Sequence, residues 1–153
     1  MKKYILSSFF AILIGFVFGK FMLSLYQNPN DIIPVMGQAF KIKFLELGSY
    51  NTKEEMDENT AKFPYYIYML QEGKYYAYIA ITQNDENLNR IKGYYEEKGY
   101  ITNVREFKVD NEAFLVILEE YDNLLKESEE DSIIDAVCSQ VLIKYEELVL
   151  KNV

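Results

Sequence analysis

The chain has 153 residues, half of them hydrophobic, with 16 basic and 24 acidic side chains for a net charge of −8. That length supports one modest domain with appendages, and the acidic balance disfavours nucleic acid and anionic lipid headgroups as partners. The sequence has no histidine, which excludes Ser-His-Asp and Cys-His triads and the usual zinc ligand sets, and its single cysteine excludes an internal disulfide.

Met1 and two lysines precede Tyr4–Gly19, a run without a charge, and apolar character resumes after Lys20 as far as Tyr26. Residues 4–26 are long enough to span a bilayer core of ~30 Å as a helix, with Lys20 snorkelling to the headgroups. Residues 1–3 then form a cytoplasmic end, because basic residues favour the inside. The competing reading is a signal peptide cleaved near Gly19. Both place everything from Gln27 onward outside the cytoplasm. Three of the sixteen basic residues precede Gln27, which leaves thirteen against twenty-four acids, a net of −11 for the exterior part. Residues 27–39, with Asn28-Pro29-Asn30-Asp31 and Pro34, read as a short linker that keeps the following domain near the membrane.

Residues 40–109 read as one short unit written twice. Lys41 to Leu47 is strand-like and stops at Gly48. Thr52 and Glu55 form a capping-box pattern, opening a helix with Met56, Thr60 and Phe63 at helical spacing before Pro64. Tyr65–Leu70 is a second strand. Lys74–Thr82 starts the second copy, a helix from about Asn84 carries Leu88, Ile91 and Tyr95, and Gly99 stops it. Ile101–Val109 is the fourth strand. The expected fold class is α+β: a four-stranded antiparallel sheet with two helices on one face and the other face open.

Strand alternation assigns side chains to those faces. Leu45 and Leu47 lie under the helices with Tyr75, Ala77, Ile79 and Ile81, leaving Phe44, Glu46, Tyr76, Tyr78 and Ala80 on the open side. The second strand is ambiguous, since either Tyr66 and Tyr68 or Tyr65, Ile67 and Met69 can face out. Tyrosine rings stack on the C–H faces of sugars while their hydroxyls bond sugar oxygens, so such a face suits a glycan. Tyrosine also simply suits strands and half-buried positions.

Two motifs carry a family resemblance. Phe44-Leu-Glu-Leu-Gly-Ser-Tyr50 is similar to the first strand, and Tyr75-Tyr-Ala-Tyr-Ile-Ala-Ile-Thr82 to the third, of SPOR domains, the sporulation-related repeat of bacterial envelope proteins. The resemblance implies a duplicated βαβ, ferredoxin-like fold. It also implies binding of peptidoglycan glycan strands stripped of stem peptides, in cell division or sporulation. Glu46, Ser49, Tyr66, Tyr68, Tyr76 and Tyr78 are the glycan-contacting residues that follow from it and from the face assignment. Glu46 stands where the family usually has Gln, Tyr76 where it has Arg, and Ala80 where it has Gly.

After Val109 the pattern changes to residues 110–153, a C-terminal helical extension. Asp110 is an N-cap candidate for a helix bearing Phe114, Ile117, Tyr121 and Leu124. A second helix from about Ser132 carries Ile133, Val137, Val141, Tyr145 and Leu148, with Cys138 on the same stripe as buried filler. The run Glu127–Asp131 between them lacks the spacing and glycine of a calcium loop and reads as a solvated turn. The stripes cover each other and the sheet domain, or they offer a surface to a partner; folded onto the open face, they would occlude it. No cofactor or metal is expected. The sequence reads as a non-enzymatic, single-pass envelope protein that binds glycan. The alternative is a protein-interaction module of an envelope complex without glycan binding.

Overall fold

The computed structural model describes residues 39–151. The cytoplasmic end, the membrane helix and all of the linker except Ala39 lie outside them. Among the described residues no helix is long and apolar enough to cross a membrane.

The fold is α+β, with four antiparallel strands and four α-helices. In chain order these are β1 (Phe40–Tyr50), α1 (Lys53–Thr60), β2 (Ile67–Gln71), β3 (Lys74–Thr82), α2 (Asp85–Glu97), β4 (Asn103–Val109), α3 (Glu112–Glu127) and α4 (Ile134–Tyr145). The strands lie in the order β2-β3-β1-β4. A 3-10 turn, Asp131–Ile133, leads into α4, and a π turn, Glu146–Leu150, extends it.

Local chemistry sets the boundaries. Thr52 accepts from the Glu55 amide at 3.2 Å, and the Glu55 carboxylate accepts from the Asn51 amide at 3.1 Å, so the expected box closes one residue upstream of its usual partner. Helix α1 ends at Thr60, whose buried hydroxyl donates to the Met56 carbonyl at 2.8 Å. Glu72 and Gly73, both at positive φ, join β2 to β3 in the two-residue hairpin geometry that matches strand twist. Asn84 caps α2 by accepting from the Glu86 and Asn87 amides. At its other end Gly99 takes φ +87°, while Gly99 N–H and Tyr100 N–H reach back to the Glu96 and Tyr95 carbonyls. That pair of bonds is a Schellman stop, and glycine carries it without steric cost.

The sheet departs from strict alternation. Pairing runs Phe44 with Ile81 and Leu45 with Ala80, then jumps to Glu46 with Tyr78 and to Gly48 with Ala77. Ile79 and Leu47 are therefore the extra residues of two β-bulges. The first bulge brings Ile81 onto the side of Phe44 and Ala80 onto the side of Leu45, each opposite to its expected position. Directly paired residues share a face, so Tyr78 brings Glu46 and Ile67 to one side, and Tyr76 brings Met69 and Ser49. Tyr66 and Tyr68 turn the other way: Tyr66 donates to Asp57 of α1 at 2.6 Å, and Lys53 of α1 lies 5.6 Å from the Tyr68 ring centre.

Helices α3 and α4 form the expected hairpin, with its details displaced by one residue. Asn111, not Asp110, caps α3, accepting from the Phe114 amide at 2.9 Å. The buried stripe of α3 is Phe114, Leu118, Asp122 and Leu125, and Leu124 is 47% exposed. An aspartate occupies a core position. Its carboxylate accepts from Thr82 Oγ1, from the Gln83 amide at 3.0 Å and from Asn87 Nδ2 at 2.9 Å, joining α3 to the end of β3 and the start of α2. Arg90 of α2 donates to the Leu125 and Ser128 carbonyls and to Asp131, closing the C-terminus of α3. The acidic turn is thus tied to α2 through Asp131.

Along α4, Ile134, Val137, Cys138, Val141, Leu142 and Tyr145 are buried. Asp135 accepts from Tyr94 at 2.7 Å, Tyr95 at 3.0 Å and Lys98 at 3.1 Å. Burial opposes its charge, but these donors outweigh that effect and hold its carboxyl below the ordinary value. Cys138 is buried, and burial pushes its thiol up to about 12. It is therefore expected to react slowly with a thiol reagent in the folded protein and rapidly once urea unfolds it, as followed by mass spectrometry. Equal rates in both states would show that α4 does not pack as described.

Candidate functional site

The expected ligand face exists as a face. Phe44, Glu46, Tyr76 and Tyr78 stand on one side of the sheet, together with Ile67, Met69, Arg105 and Phe107. Most of it is covered. Tyr145 of α4 packs edge-on against Phe44 at 5.1 Å, and Phe114 of α3 packs against Tyr145 at the same distance. Beneath them, Phe44 meets Tyr78 at 5.4 Å and Phe107 at 4.7 Å, completing a continuous aromatic core. Beside this cluster, Tyr65 donates to Glu146 in the π turn, and that bond carries the Tyr65 hydroxyl up to about 12.

The consequences differ from residue to residue. Tyr78 is 0% exposed and belongs to the core, not to a binding surface. Its hydroxyl has no hydrogen-bond partner among the described residues. Burial drives its pKa up to about 12, with a lowering effect from Arg105 outweighed. Glu46 is only 5% exposed and is ion-paired with Arg105 of β4, in an electrostatic contact that lacks aligned hydrogen-bond geometry. Tyr66 and Tyr68 lie on the opposite side of β2. Of the expected contacts, Tyr76 (partly exposed) and Ser49 (exposed) remain open to solvent on this face.

The residue that sequence reasoning missed is Arg105. Its guanidinium carbon lies 4.2 Å from the centre of the Tyr76 ring, in cation–π contact, while Nε faces Glu46. Burial works against the charge, but the Glu46 carboxylate raises the Arg105 pKa above its ordinary value. Its pairing with Phe44 across β1 and β4 is what brings it here. The only signal in the sequence is alternation in β4, where Arg105 shares a side with Phe107 and Val109. The uncovered end of the face is therefore a compact group of Ser49, Met69, Tyr76 and Arg105 backed by Glu46. It offers a ring edge, a hydroxyl, a thioether and a guanidinium whose charge is largely balanced.

Among the described residues no group of histidine, cysteine, aspartate and glutamate side chains is placed to hold a metal ion. No family model matches the chain, and comparison with curated proteins and with solved structures gives no match.

Proposed function

We propose that this chain is a non-enzymatic envelope protein, tethered to the membrane by residues 4–26. In this reading its SPOR-like, ferredoxin-like module meets stripped peptidoglycan glycan at the uncovered end of the sheet face, as part of division or sporulation. The observation that carries it is the grouping of Tyr76, Arg105 and Ser49 beside the buried aromatic cluster. A guanidinium and a hydroxyl donate to sugar oxygens, while the free part of the tyrosine ring meets C–H groups. Arg105 supplies, from β4, the cation that Tyr76 displaces from β3. The site is small, so its affinity is modest.

The second reading is a protein-interaction module without glycan binding. It is favoured by the burial of Phe44 and Tyr78, which removes the broad tyrosine platform.

Sedimentation of the protein with amidase-treated and with intact sacculi separates the two. Glycan binding predicts preferential retention on the treated sacculi. It also predicts a loss of about fivefold in Tyr76→Ala, for roughly 1 kcal/mol of ring contact. Arg105→Ala is expected to weaken retention at least as much, through a lost charge-assisted donor. No retention of the unsubstituted protein assigns it to the protein-interaction reading.

A further inference from the structure

On the other side of the sheet a groove opens between α1 and the connection from α2 to β4. Leu47 and Tyr50 of β1 form its floor, Asn59 of α1 one wall, and Gly99, Tyr100 and Ile101 the other, around a volume of about 270 Å³. Ile101 is 85% exposed, and Val104, 42% exposed, pairs with Leu45 on the same side of the sheet. Ile101 thus stands free at the lip of the groove, where a partner's apolar side chain can reach it. The surroundings are acidic. Glu55 accepts through its backbone carbonyl from the Asn59 side chain and so lies on the groove side of α1, with Glu58 exposed beside Asn59 and Glu97 exposed two residues before Gly99; the intervening Lys98 is held by Tyr94 and Asp135. The Tyr50 pKa is raised first by burial, then by Glu55 and by Glu46, of which Glu55 is the carboxylate on the groove side.

We propose that this groove docks a partner protein through an apolar side chain flanked by lysines or arginines. Charge complementarity selects that occupant. An apolar floor with carboxylates on the surrounding elements favours a basic segment, and residues 40–153, with 13 basic against 23 acidic side chains, steer one toward it. The same charge repels a second copy of this chain and an anionic lipid surface.

The test is fluorescence anisotropy with the full chain and a labelled probe peptide in which lysines flank a central leucine. A glutamate-flanked peptide of the same length serves as control. Binding of the lysine peptide, weakened about tenfold or more by Ile101→Ser and by added salt, is the expected result. Ile101 is exposed, so its substitution leaves the fold intact, and Glu58→Gln is expected to weaken binding without affecting unfolding. Equal binding of the two peptides overturns the proposal, as does binding indifferent to Ile101, which reads only the overall charge. Concentration-dependent dimers that Ile101→Ser dissolves would overturn it in favour of a second copy.

Discussion

Phe44→Ala is expected to lower the free energy of unfolding by about 3–5 kcal/mol, and Tyr78→Ala by a similar amount, both read from urea midpoints. The reason is geometric. Phe44 is the centre of an aromatic cluster drawn from β1, β3, β4 and α4, and its neighbours are locked edge-on around it. Neither ring can be removed without leaving a cavity that the two packed layers cannot close. Tyr78→Phe is the informative companion. The Tyr78 hydroxyl is buried without a hydrogen-bond partner among the described residues, so deleting it is expected to be neutral or stabilising. A Tyr78→Ala protein of unchanged stability would mean that α4 does not cover this face, and the tyrosine platform would then be open after all.

The second large effect is expected at Asp122. Asp122→Ala strands the Gln83 amide, takes one of two acceptors from the Asn87 side-chain amide, which keeps the Asp122 backbone carbonyl at 2.8 Å, and leaves Thr82 Oγ1 only the Asn84 carbonyl at 3.4 Å. One stranded amide together with the lost bonds to a buried charged acceptor places the loss at about 2–4 kcal/mol. Asp122→Asn keeps the volume and one acceptor oxygen but turns an amide donor toward other donors, so it should fall between. Thermal unfolding of the three proteins checks the order. A loss below about 0.5 kcal/mol for Asp122→Ala, the range of an ordinary surface substitution, would show that the carboxylate does not join α3 to the sheet.

These two sites also mark where the sequence was legible and where it was not. The strands, the Thr52 box, the start of α2 near Asn84 and the Gly99 stop are local, each written within four or five residues, and the structure contains them. The assignment of Phe44, Glu46, Tyr76 and Tyr78 to one face also holds, because alternation is local. Alternation failed where Ile79 bulges and carries both Ala80 and Ile81 across, since nothing in a run of apolar residues announces an insertion. The stripe of α3 was displaced because one of its core positions is an aspartate, and a search for apolar spacing passes over a buried carboxylate satisfied by residues 35–40 positions away. For the candidate site the limit was tertiary. Two of its expected tyrosines lie on the other side of β2 and one lies beneath α4, and the partner of Glu46 comes from β4. No spacing rule within a single strand contains that information.

The contact between Phe44 and Tyr145 sets the order in which this protein can be made. It ties β1 to α4, so the core cannot close until residues through Tyr145 have been synthesised. A nascent chain that has reached only Val109 holds four strands with Phe44, Tyr78 and Phe107 facing water. Such a surface invites pairing with another unfinished chain or capture by a chaperone. Folding speed is therefore governed by how soon α3 and α4 arrive and dock, and a slowly emerging chain spends longest in its most adhesive form.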